Sequence, residues 1–191
     1  EGKTVTVINL AITMAHAGNK VIILDCDMRR PTVHKRFGFS QHRGISDILV
    51  SRAKIRDALM KTEIPNLHIL PSGTIPPNPS EILSSPGMTQ LMSALRGHYQ
   101  YILIDSPPLM AATDAAVLVQ FSDGVILVIR AGEMQKGAVQ NGLNILRSVD
   151  ANVLGAVLND VDMDEKSYYY YPYYYAYDDM KDRKNTSRSK M

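Results

Sequence analysis

The sequence predicts an α/β fold: a doubly wound, mostly parallel sheet with helices on both faces. Three observations lead there. Short apolar runs rich in β-branched residues alternate with helical stretches along the chain. Most of those runs are apolar on both faces, the pattern of strands buried inside a parallel sheet rather than half-solvated ones. Length and composition, 191 residues of which 45% are hydrophobic and 21% charged, suit one well-buried domain.

The elements follow in order. Glu1-Gly2-Lys3-Thr4 reads as the last four positions of a phosphate-binding loop, without the strand and first glycine that normally precede it. The chain is therefore expected to begin inside a longer protein, with the first P-loop strand missing and a central position of the sheet empty. A helix is expected from about Lys3 to Ala17, with Gly18 where a C-terminal cap glycine belongs. Strands are expected at Val21-Ile22-Ile23-Leu24, Leu67-His68-Ile69-Leu70, Tyr101-Ile102-Leu103-Ile104, residues 124–129 and residues 153–158. Further helices are expected near 90–96, 113–120 and 137–149. The segment from Pro71 to Pro86 holds five prolines (Pro71, Pro76, Pro77, Pro79 and Pro86) and reads as mostly loop or isolated turns. A P-loop domain over 1–162 is expected to give way to a flexible tail over 163–191, where periodicity stops and polar residues dominate.

Composition narrows the function classes. Twenty-one basic against 19 acidic residues give a formal charge of +2, no strong pull toward nucleic acid or an anionic membrane. No apolar run approaches the roughly 20 residues that span a bilayer. The single cysteine, Cys26, has no partner for an internal disulfide, which fits a reducing compartment. The strand pleat turns it away from the aspartates on either side of it and into the core.

The chemistry lies where strands end. Gly2-Lys3-Thr4 opens a helix whose N–H groups favour an anion, within reach of the Lys3 ammonium, and the Thr4 hydroxyl is a Mg²⁺ ligand in the P-loop pattern. Taken alone the triplet is weak. Support comes from Val21–Leu24 running into Asp25-Cys26-Asp27-Met28-Arg29-Arg30, and Tyr101–Ile104 into Asp105-Ser106-Pro107-Pro108. A carboxylate delivered by a buried strand needs a cation or hydrogen-bond donors, and Mg²⁺ takes one or two carboxylates plus phosphate oxygens and water. Either aspartate alone could equally be capping a helix. Three elements together argue for a nucleotide–Mg²⁺ site.

These residues resemble the bacterial tyrosine kinases. Asp25-x-Asp27-x-Arg29 is similar to their Walker A′ motif and Ile102-Leu103-Ile104-Asp105-Ser106-Pro107-Pro108 to their Walker B. Further matches fall at 44–49, 70–73, 76–81, Thr113-Asp114-Ala115 and 155–159, so the resemblance covers residues 1 to 162. It implies ATP and Mg²⁺ as cofactors and a role for each matching position. Gly2 and Lys3 would bind the phosphates, and Thr4 and Asp105 the metal. Asp25 would be the base for the incoming tyrosine hydroxyl and also touch a metal-bound water, Asp27 would support this network, and Asn159 would contact adenine. Arg29 and Arg30 could neutralise phosphoryl charge or simply lie on the surface.

Eight tyrosines crowd a ten-residue stretch: Tyr168, Tyr169, Tyr170, Tyr171, Tyr173, Tyr174, Tyr175 and Tyr177. By composition this is a sticky aromatic segment. Beside these motifs it resembles the family's autophosphorylation tail, used in trans within a homo-oligomer. The resemblance also implies a membrane-embedded activator of polysaccharide assembly, fused upstream or separate. It further implies a cognate phosphotyrosine phosphatase, a place on the cytoplasmic face of the inner membrane, and control of exopolysaccharide synthesis and export. Two alternatives compete. One is a non-kinase ATPase of the septum-placement and chromosome-partition type, whose distinguishing lysine falls in the missing part of the P-loop. The other is a polysaccharide-assembly regulator that uses nucleotide only as a conformational latch.

Overall fold

Val21–Asp25 forms β1, and every one of its five residues is buried. A strand apolar on both faces needs a neighbour on each side. Leu67–Leu70 (β3) lies along one edge and Tyr101–Asp105 (β4) along the other, both parallel to it. In the computed structural model, which describes residues 1–40 and 43–161, the order is β2-β3-β1-β4. The two-residue β2, Met60–Lys61, runs antiparallel to β3 at the outer edge. Val125–Arg130 (β5) and Val153–Asn159 (β6) form a separate parallel pair. The expected strands are all present, each within a residue of its predicted bounds.

The described strands fall into two sheets. Among the described residues β4 pairs only with β1 and β5 only with β6, and β4 and β5 line one cavity of about 380 Å³. Leu10 of the first helix and Leu146 of the last also line it.

Helices cover both faces. Lys3–His16 (α1) packs on β1 and β4, burying Ala11 and Ala15 against Val21, Ile23 and Ile69. It ends as the glycine predicts: Gly18 has φ 88°, its N–H bonds Ala15 O, and the Asn19 N–H bonds Met14 O, the paired bonds of a Schellman cap. On the opposite face Pro86–Arg96 (α6) buries Met88, Leu91, Met92 and Leu95 against Ile22, Leu24 and Leu70. Asp114–Val119 (α7) and Lys136–Ser148 (α8) match the remaining expected helices.

Four short helices were not anticipated: Val33–Arg36 (α2), Ile45–Leu49 (α3), Ile55–Ala58 (α4) and Pro79–Leu83 (α5). The last is the one helix that lies wholly within 71–86, a segment that is otherwise mostly loop and turn, as expected. Pro79 stands at the first helical position of α5, as Pro86 does in α6. There its fixed φ helps and its missing N–H costs nothing. Residues 1–159 form one compact unit, while the tail from 163 and its tyrosines lie outside the described residues. No described helix is long and apolar enough to cross a membrane.

The loop after β3 is fastened to α3. Asp47 Oδ2 accepts the N–H groups of Gly44 and Thr74, each at 3.0 Å, and Asp47 Oδ1 accepts the Thr74 hydroxyl at 2.8 Å. A Cβ on Gly44 would overlap Pro71 O and Gly73 N. Gly44→Ala is therefore expected to cost about 2 kcal/mol, roughly 5 °C in thermal midpoint, as measured by circular-dichroism melting.

Candidate nucleotide and metal site

Parallel register puts two carboxylates side by side. Asp25 ends β1, Asp105 ends β4, and the two are direct partners across the ladder. Both are buried, at 0% and 2% exposure. Asp25 Oδ2 accepts the Val33 N–H at 3.1 Å, the first N–H of α2, so the helix-capping reading is partly true of it. Asp105 Oδ2 accepts the Thr4 hydroxyl at 2.7 Å. The other oxygen of each, Asp25 Oδ1 and Asp105 Oδ1, is buried with no hydrogen-bond partner among the described residues.

Those two orphaned oxygens decide what the site can hold. A buried acceptor without a donor costs about 1–3 kcal/mol, more for a charged one. Burial foremost, then the neighbouring Asp105 charge, pushes the Asp25 carboxyl up to about 7. Burial likewise raises Asp105, while the Thr4 hydroxyl and the Lys3 ammonium pull it back. A divalent cation would satisfy both oxygens at once. The described residues contain no group of three or more His, Cys, Asp or Glu side chains suited to a metal. Two carboxylates beside a helix start suit Mg²⁺, which takes one or two carboxylates and keeps water and phosphate oxygens among its ligands.

α1 brings the remaining parts. Gly2 precedes it with φ 88°, and a Cβ there would overlap the Asn159 amide. Only glycine meets both conditions. Lys3 Nζ lies 2.7 Å from Glu1 Oε2, so its ammonium is held at the helix start by a carboxylate. Asn159, at the carboxyl end of β6, donates from Nδ2 to Glu1 O at 3.2 Å. The fold thus gathers Gly2, Lys3, Thr4 and Asn159 at one end and sets Asp25 beside Asp105. Asp27 lies two residues beyond, its Oδ1 accepting the N–H groups of Arg29 at 3.2 Å and Arg30 at 2.9 Å. Cys26 is fully buried in the core, and burial pushes its thiol up. Tyr168–Tyr171, Tyr173–Tyr175 and Tyr177 lie outside the described residues.

One side chain without an assigned role belongs to this region. Asp114, fully buried at the first position of α7, accepts Arg29 Nε at 2.8 Å and Nη2 at 3.2 Å. The available signal was Thr113-Asp114 ahead of an apolar helical run, which announces a helix start and says nothing of a partner 85 residues away.

Known proteins resemble this chain in sequence and fold. Residues 1–157 match the family described as AAA domain. The chain is similar to the putative tyrosine-protein kinase CapB of Staphylococcus aureus, 38% identical over 172 residues, 90% of this chain and 75% of that protein. It is 33% identical to tyrosine-protein kinase wzc of Salmonella typhimurium, over 91% of this chain and 24% of that protein. Among solved structures, the chimerical protein CapA2B2 superposes with a TM-score of 0.82 at 37% identity, over 84% of this chain and 71% of that one. The septum site-determining protein MinD of Pyrococcus horikoshii, complexed with Mg-ADP, shares the fold at a TM-score of 0.67 and 24% identity, over 82% of this chain and 64% of that one.

The raised Asp25 carboxyl has a measurable consequence. Its folded value of about 7 exceeds the usual value near 4, so the native state holds this proton more tightly than the unfolded chain. The metal-free protein therefore loses stability as pH rises from about 4 through 7 and does not regain it above. Asp25→Asn keeps the acceptor for Val33 and removes the charge. At pH 8 without metal it is expected to gain about 2 kcal/mol, roughly 5 °C, and the gain should shrink at pH 5. A thermal melt at the two pH values in EDTA checks this.

Proposed function

This chain belongs to the bacterial tyrosine kinases, and on that premise we propose that it transfers the γ-phosphoryl group of ATP to tyrosine hydroxyls, foremost those of residues 168–177 in a second copy. The observation that carries the proposal is the pair of orphaned carboxylate oxygens, Asp25 Oδ1 and Asp105 Oδ1, beside the Gly2-Lys3-Thr4 helix start.

In this reading the N–H groups at the start of α1 and the Lys3 ammonium bind the β- and γ-phosphates, Lys3 leaving Glu1 to do so. Thr4 and Asp105 hold Mg²⁺, with Asp25 on a metal-bound water and Asp27 supporting the loop between them. Bound Mg²⁺ neutralises charge on the phosphoryl oxygens. The tyrosine oxygen bonds to the γ-phosphorus as the bond to the β–γ bridging oxygen breaks, and ADP leaves with that electron pair. Asp25 takes the tyrosine proton. A free tyrosine hydroxyl has a pKa near 10, so the carboxylate works as the new bond forms rather than by prior ionisation. Asn159 has one amide hydrogen committed to Glu1 O, leaving its carbonyl and second N–H for an adenine edge.

The relatives extend the proposal outward. This chain matches only 24% of the wzc kinase, and CapA2B2 is a chimera. Both support a kinase domain that works with a membrane-embedded activator, on the same or a separate polypeptide, at the cytoplasmic face of the membrane. Control of capsular or exopolysaccharide synthesis and a cognate phosphatase complete the reading. The rival ATPase switch shares the fold with MinD. The Asp105-Ser106-Pro107-Pro108 segment and the tyrosine run favour the kinase.

Two outcomes are expected. With Mg-ATP the full-length protein should accumulate phosphotyrosine in 168–177, and Lys3→Ala should lower the rate by about 100-fold or more. ATP turnover without phosphotyrosine would favour the switch. Each phosphate adds about −1.5 to −2 charges, so a multiply phosphorylated tail should repel its neighbours. Light scattering should then show a smaller assembly after phosphorylation than before, and an unchanged mass would refute that switch.

A further inference from the structure

Three loops leave the carboxyl ends of β1, β3 and β4, and one buried carboxylate touches all of them. Asp114 stands on α7, which follows the Asp105 loop. It receives the Arg29 guanidinium from the Asp25–Asp27 loop through two bonds of 2.8 and 3.2 Å. It also accepts the Ser80 hydroxyl, from α5 in the proline-rich loop after β3. Asp114 is 0% exposed, while the Arg29 side chain is 48% exposed.

The two-pronged geometry matters. A guanidinium fork on a carboxylate fixes orientation as well as distance, which an ammonium cannot do. The Arg29 backbone is committed as well: its N–H and that of Arg30 bond Asp27 Oδ1. One residue thus grips Asp27 with its main chain and Asp114 with its side chain. A guanidinium held this way is not a free cation waiting for a phosphoryl group, so of the two arginines after β1 only Arg30 remains available for that task.

We propose that Asp114 is a positioning residue for phosphoryl transfer, holding Arg29 and through it the loop that carries Asp25 and Asp27 against the Asp105 loop. The proposal rests on the kinase reading of the site. It predicts that Arg29 and Asp114 act as one unit, that the loss falls on turnover rather than on ATP binding, and that charge alone at position 29 does not suffice.

The test is a double-mutant cycle in the full-length protein with Arg29→Lys, Asp114→Asn and the pair combined. Initial rates of tail phosphorylation are followed against ATP concentration, and amide exchange of residues 29 and 30 is measured without nucleotide. Each single variant should lower kcat about tenfold with KM for ATP within about twofold, and the double variant should be no slower than the worse single. Exchange at 29 and 30 should quicken equally in all three. Should Asp114→Asn fail to fold, Arg29→Lys and Arg29→Ala, at a half-exposed side chain, carry the test by losing the same turnover. The proposal is overturned if Arg29→Lys keeps wild-type turnover and exchange, or if the single effects multiply in the double variant. A wild type that makes no phosphotyrosine would sink the kinase reading instead, and exchange at 29 and 30 would still judge the clamp.

Discussion

The structure turns on a repulsion. Parallel pairing of β1 with β4 sets Asp25 directly beside Asp105, both buried and each with one oxygen that no described residue satisfies. Folding places like charges together in a medium that screens them poorly, which a sheet chosen for stability alone would avoid. The arrangement makes sense when a cation completes it. The rest of the site follows from that demand. Thr4 is positioned by α1 to share Asp105, Lys3 stands one residue earlier, and α1 is held in place by packing on β1 and β4.

The loops around this pair are fixed by polar contacts because apolar packing stops where the strands end. Asp47 ties α3 to the loop after β3 through two N–H groups and a hydroxyl, and these donors hold its carboxyl below the usual range despite burial. Asp114 does the same for the loops after β1 and β4, its carboxyl lowered by Arg29 and Ser80. The four buried aspartates among the described residues thus divide into two kinds. Asp47 and Asp114 have their oxygens supplied with donors, whereas Asp25 and Asp105 each keep one oxygen without a partner.

Much of this was legible in the residues. Long apolar runs declared their strands because nothing but a sheet interior accepts Val21-Ile22-Ile23-Leu24 on both faces, and Gly18 announced the end of α1. The Asp25–Asp105 pairing was foreseeable from two strands with the same apolar-then-aspartate ending, although only the register shows them to be direct neighbours. Short helices escaped because four or five residues carry too little periodicity, and α5 hid behind prolines that in fact begin it. The Arg29–Asp114 contact spans 85 residues and depends on how the strands are ordered, which no local pattern encodes. Asn159 was marked through resemblance; its contact with the Glu1–Gly2 backbone explains on steric grounds why that position faces a glycine.

The measurement that bears most directly on this account is proton release on binding Mg-ADP, by titration calorimetry at pH 7 in two buffers of different ionisation heat. A cation and its bound water favour the charged form of a neighbouring carboxylate, and Asp25 with a value of about 7 is about half protonated there. A buffer-dependent heat corresponding to roughly half a proton released is expected, vanishing at pH 9 and largely absent in Asp25→Asn. Binding with the same heat in both buffers at pH 7 would mean that the buried carboxylates are already charged and partnered, contradicting the claim that they are held in reserve for a cation.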